Sequence, residues 1–142
     1  MGNQRAQFQP SRVALAALVA GTAAAGANIA FFLLVHVLGV EFIIQPDPSA
    51  PPVPIAVSSV AVASFLPALL AGGLLVLLGR FTTKARRAFL VIASVAAVLS
   101  LAGPATIGGA SGGTRVALIV MHLLAAAVIS GGLLRAPKEN LS

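Results

Sequence analysis

The chain has no cysteine, no tryptophan and no tyrosine, and only 8% of its 142 residues are charged. Without cysteine there is no disulfide, no thiolate metal site, no cysteine nucleophile and no haem attached through Cys-x-x-Cys-His. So few charges cannot cover a soluble surface, where about 25% of residues are normally charged. Acids are the scarcest charge, three Asp+Glu against nine Lys+Arg for a net charge of +6. None of the three lies inside an apolar run, which argues against a proton- or sodium-coupled pump. Without Trp and Tyr there is no conventional aromatic belt, so orientation in a membrane must be read from charge alone. Catalytic motifs are missing too: there is no Gly-x-Ser-x-Gly, no phosphate loop and no His-Glu-x-x-His. Neither an enzyme nor a cofactor is expected.

What the chain does have is apolar sequence in long runs. Hydrophobic residues make up 58% of it, and several runs reach the roughly 20 residues that a helix needs to cross a bilayer. They are apolar on every face, unlike the alternating segments of a membrane barrel. In lipid every backbone N–H needs an internal partner, which leaves helices. The expected fold is all-α, one domain over residues 1–142, an up-down bundle of four transmembrane helices at about 13–38, 55–78, 88–107 and 114–134. The first run follows Arg5 and Arg12 and continues to Val40. That exceeds the about 7–15 residues of a signal-peptide core, so it reads as a retained helix.

The connections differ in character. Pro46, Pro48, Pro51, Pro52 and Pro54 predict a stiff, extended loop after the first helix. Arg80, Lys84, Arg86 and Arg87 fill a short basic loop between the second and third. Gly108 to Gly113 reads as a flexible connector, and Pro137 stops the last helix. Arg5, Arg12, Arg80, Lys84, Arg86, Arg87, Arg135 and Lys138 all fall on one side of a four-helix topology, and only Arg115 falls on the other. The positive-inside rule makes that side cytoplasmic. The expectation is a multi-pass protein of a bacterial plasma (cell inner) membrane, with both termini in the cytoplasm. The basic cluster can also hold anionic lipid headgroups. Membrane orientation accounts for the charge, so no nucleic-acid partner is expected.

Membrane helices associate through small residues that let backbones approach. Helix one offers Ala17, Gly21, Ala24 and Asn28; helix two, Ser64, Ala68 and Gly72; helix three, Ala93, Ala96, Ser100 and Gly103; helix four, Ala127 with Gly131. Each stripe reads as a helix contact. Pro67 cannot donate to the carbonyl of Ala63 and predicts a kink in helix two, either covered by neighbouring helices or opening a cavity or hinge.

Asn28, His36 and His122 form the candidate intramembrane polar site. Asn28, near mid-depth on the small-residue stripe, is expected to hydrogen-bond a facing helix. His36 near the outer end of helix one and His122 in the outer half of helix four fall at similar depth if the first and last helices are neighbours. They can bond separately to backbone or water, bind a metal or flank a haem iron, or titrate as a relay or pH sensor. Two histidines without a third ligand do not define a metal site, so none is assigned. Glu41 and Asp47 are the acids on the outer side. They read as solvated loop acids, with Glu41 near enough to approach His36 or Arg115.

Arg12 before the first helix, the run Ala20-Gly21-Thr22-Ala23-Ala24-Ala25-Gly26-Ala27-Asn28, and Met121-His122-Leu123 in the last helix carry a resemblance. On these the chain resembles a bacterial family of small four-helix membrane proteins known as a domain of unknown function, number six-zero-six-nine. The resemblance covers nearly the whole chain. It implies membrane location and a four-helix layout, and it implies no activity. The leading expectation is therefore a structural or accessory subunit that packs against lipid, a second copy or a larger membrane complex through its small-residue faces. The alternatives are a small carrier, channel or pH sensor around Asn28, His36 and His122, and a bis-histidine haem protein.

Overall fold

The computed structural model describes residues 9–135. Arg5, Pro137 and Lys138, with most of the two polar tails, lie outside them. Among the described residues four segments are helical, long and apolar enough to cross a membrane: Pro10–Val37, Val57–Phe81, Ala85–Thr106 and Gly112–Leu134. In chain order the elements are α1 (Pro10–Val37), β1 (Ile43–Ile44), β2 (Val53–Pro54), α2 (Val57–Phe81), α3 (Ala85–Ser100), α4 (Ala102–Thr106) and α5 (Gly112–Leu134). Leu15, Leu34, Leu70, Val91 and Leu99 point outward and are exposed. An outer surface so apolar is the surface that lipid covers.

The centre of the bundle is α1. Pro10 opens it at the first helical position, where a missing N–H costs nothing. Its buried side is Val13, Ala17, Ala20, Gly21, Ala24, Asn28 and Phe32, which contains the whole expected stripe. The stripe of α2 is buried as well, at Ser64, Ala68 and Gly72. A methyl group added at Gly21 would come within 2.9 Å of the Phe65 ring and 3.0 Å of the Ala68 Cβ, and one at Gly72 within 2.8 Å of the Ala17 Cβ. Residue numbers rise along α1 as they fall along α2, so the two helices are antiparallel and nearly touch backbone to backbone.

On the other side of α1 lies α5, also antiparallel. Here the expected register was one residue off. Ala127 is exposed and Gly131 faces open space, whereas a methyl group on Gly132 would meet the Ala20 Cβ at 2.8 Å. Adjacent glycines lie about 100° apart around a helix, so only one can face a given neighbour.

Helix three departs furthest from expectation. It breaks at Leu101 into α3 and the short α4. Pro104 lies just past the break and, with no N–H, leaves the Ser100 carbonyl without its helical donor; at the break itself the Leu101 N–H bonds Val98 O at 3.2 Å, a tightened turn, in place of Ala97 O. Only Ala85 and Phe89, in the first turns of α3, are buried. Ala93 and Ala97 are half-buried, Ala96 and Ser100 exposed, and a methyl group on Gly103 would meet nothing within 4 Å. Of the third stripe only Ala93 packs against the core, and the rest makes no close helix contact. Helix three is thus pinned at Ala85 and Phe89 and again at the buried Pro104 of α4, and it stands off from α2 and α5 between those points.

The proline-rich loop is not wholly extended. Ile43 pairs with Pro54 and Ile44 with Val53 in a small antiparallel hairpin. The Gln45 side chain clasps its turn, donating to Ala50 O at 2.8 Å. Phe42 enters the hairpin with φ 52, a left-handed conformation that bulky residues rarely adopt. Burial holds it there: Phe42 stacks on Phe32 with ring centroids 4.2 Å apart. The glycine turn is a platform for the hairpin rather than a free connector. Gln45 N–H donates to Gly108 O at 2.8 Å, and a methyl group on Gly108 or Gly109 would come within 2.7 Å of Gln45.

Candidate functional site

Where α3 stands off, a cleft of about 620 Å³ opens among α2, α3 and α5, with Asn28 of α1 in its inner wall. One end is roofed by Ile44, Val53 and Pro54 of the hairpin. Beneath that roof the apolar cluster Phe32, Phe42, Val60, Ala117 and Met121 packs α1, α2 and α5 together. The other end is stopped by Phe89 and Ile129, part of the main core with Leu75 and Leu133. Between these ends the wall is mostly alanine and serine. Ser59, Ala63 and Pro67 of α2 and Ala96 and Ser100 of α3 line the cleft while remaining exposed, so the gap between α2 and α3 is its open side.

Asn28 is the polar centre of the inner wall, with only 2% of its surface exposed. Its Nδ2 donates to Ser64 Oγ at 2.8 Å and to Met121 O at 3.1 Å, tying α1 to both α2 and α5. A helix carbonyl only accepts, which fixes the amide orientation. Both Nδ2 hydrogens are then used, and Oδ1 is left buried with no partner.

His122, one residue beyond Met121, lines the same cleft. Its Nδ1 lies 2.8 Å from Leu118 O, one turn back on α5. The carbonyl must accept, so Nδ1 carries the proton, and in the neutral ring Nε2 is left as an acceptor. Pro67 lies on the opposite wall. α2 is helical throughout its length, and the Ala63 carbonyl lacks the N–H that any other residue at position 67 would supply.

His36 does not join this group. It is exposed, its Nδ1 lies 2.9 Å from Val40 O, and its ring stacks on Phe32 at 6.2 Å, outside the cleft lining. Each histidine bonds a nearby carbonyl in its own surroundings. No group of three metal-ligating side chains occurs among the described residues. Glu41 pairs with neither His36 nor Arg115 there; Arg115 instead donates from Nη2 to Ile107 O at 3.2 Å, bracing the turn before α5. Asp47 accepts from Ser49 N–H at 2.8 Å and Ser49 Oγ at 2.7 Å, and these bonds, the backbone one first, hold its carboxyl below the usual carboxylate range. Arg80, Lys84 and Arg87 are exposed at the α2–α3 turn with Arg86 half-buried, at the end remote from the hairpin.

Four spanning-length helices, an apolar outer surface and a cleft recessed between helices are the build of a multi-pass membrane protein. The chain belongs to the family of unknown function DUF6069, whose model matches residues 8–139. No curated protein and no solved structure matches it.

Sequence reasoning singled out Asn28 and His122 through the cost of polar groups in lipid, and both lie in the wall of the cleft. It missed Ser64 as the partner of Asn28, although Ser64 was placed on a contact stripe. It also missed that Ala96 and Ser100 are wall rather than contact. The one available signal was Pro104, which removes a helical donor near the end of helix three.

Proposed function

We propose that this protein binds a lipophilic molecule within the membrane, taking it from the bilayer through the gap between α2 and α3. The observation that carries the reading is the cleft: about 620 Å³, closed at both ends and open on the side. Small-molecule sites typically enclose about 300–1,000 Å³, with apolar walls and a few placed polar groups. A pore needs a wet path from end to end, and the hairpin roof at one end with Phe89 at the other favours lateral access instead. The proposed role is binding rather than turnover, and it narrows the carrier or sensor reading to Asn28 and His122, without His36. A partner-docking role through small-residue faces has less support, because the α1 and α2 stripes are occupied by each other. In this reading the basic turn and both termini face the cytoplasm of a bacterial inner membrane, with the hairpin outside.

The test is what copurifies in mild detergent. Wild-type protein should carry a lipophile at close to one per chain. The Ala96→Phe variant fills the cleft from an exposed wall position, so it should fold and lose that molecule. Equal contents of bound molecules in the two proteins would overturn the reading.

A further inference from the structure

We propose that the occupant of the cleft carries an uncharged hydroxyl group, and that the unpartnered Oδ1 of Asn28, with Nε2 of His122, selects it. The inference rests on reading the cleft as a ligand site and adds the chemistry of the ligand. At the level of Asn28 the wall offers acceptors that lack a donor. Asn28 Oδ1 is buried without a partner. In the neutral ring His122 Nε2 is an acceptor, since Nδ1 donates to Leu118 O. The Ala63 carbonyl has lost its helical donor to Pro67. These groups share one level, since Asn28 bonds both Met121, next to His122, and Ser64, next to Ala63.

Asn28 and Ser100 spend their hydrogens elsewhere, whereas the Ser64 hydroxyl, which accepts from Asn28, keeps a hydrogen of its own. Both Nδ2 hydrogens of Asn28 are used, and Ser100 Oγ donates to Ala97 O at 2.7 Å. A buried acceptor without a donor is costly, and lipid has no donor to give it. A guest with a hydroxyl supplies one. An ammonium would bring a charge into a wall that holds no carboxylate, at high cost in lipid. An ether, ester or ketone would add acceptors to acceptors. The alanine-lined remainder of the cleft takes the hydrocarbon part.

The experiment compares three probes of nearly equal length, hexadecanol, hexadecyl methyl ether and hexadecane, binding to the full chain in lipid nanodiscs by native mass spectrometry. The expected result is a preference of about tenfold or more for the alcohol over the ether, the ratio that about 1.4 kcal/mol of hydrogen bonding produces. Asn28→Leu should flatten the preference, and His122→Phe should reduce it while keeping a ring in the wall. The wild-type selectivity and the His122→Phe variant keep the test alive if Asn28→Leu does not fold. Equal binding of all three probes, or a preference that survives in Asn28→Leu, overturns the hydroxyl inference and leaves the cleft a lipophile site. Binding of none of them overturns both.

Discussion

Asn28 of α1 donates to Ser64 of α2 across 2.8 Å, and the same amide nitrogen reaches the Met121 carbonyl of α5. Three helices thus meet on one side chain. The contact is possible because Ala24 and Gly21 on α1 and Ala68 on α2 let the two helices approach closely on the same faces. Hydrogen bonds between membrane helices average about 0.6 kcal/mol and reach about 1.7 kcal/mol, because the separated helices find other partners in the membrane.

The Asn28–Ser64 pair should therefore couple measurably but modestly. A double-mutant cycle of Asn28→Leu and Ser64→Ala, followed by unfolding from mixed micelles, should return a coupling of about 0.5–1.5 kcal/mol. Asn28→Leu should cost more than Ser64→Ala, because it also gives up the bond to Met121. Strict additivity would mean that the bond contributes nothing to holding α1 on α2.

The glycines divide into two groups by what faces them. Gly21, Gly72 and Gly132 each lie against a neighbouring helix, and a Cβ there would approach within 2.9 Å or less. Gly26 and Gly131 face open space. Alanine at the first three should destabilise by about 1–3 kcal/mol through overpacking of rigid helix faces. Alanine at Gly26 or Gly131 should be neutral or stabilising by up to about 1 kcal/mol, from helix propensity alone. The adjacent pair is the sharpest comparison: if Gly131→Ala is the damaging change and Gly132→Ala the harmless one, the register of α5 against α1 is wrong.

Those residues also show how far the sequence could be read. The apolar runs and the stripes of α1 and α2 were legible because close approach in lipid demands small residues at helical spacing. The choice between Gly131 and Gly132 was not, since both are small and only the partner decides which one faces it. The stand-off of α3 was hidden for a related reason: Ala93, Ala96 and Ser100 have the spacing of a contact face, and the same small side chains also make a wall. The proline-rich segment showed its stiffness but not its hairpin. That depends on Gln45 meeting Gly108, a contact between loops more than sixty residues apart. His36 and His122 share a sequence depth, yet each bonds a carbonyl within its own local segment.

Orientation can be decided in a chain with no cysteine, because one introduced thiol gives the only label. Ser49 in the hairpin turn and Thr83 in the basic turn are both exposed and lie at opposite ends of α2. Basic side chains are retained on the cytoplasmic side of short loops, and Arg80, Lys84, Arg86 and Arg87 all flank Thr83. Ser49→Cys should then react with a membrane-impermeant maleimide in intact spheroplasts, and Thr83→Cys only after permeabilisation. Leaving the four basic residues untouched matters, since altering them would change the signal under test. If Thr83→Cys is labelled from outside and Ser49→Cys is protected, the charge argument fails for this chain. The hairpin roof would then face the cytoplasm. The cleft would survive that reversal, because its open side faces lipid whichever way the bundle is inserted.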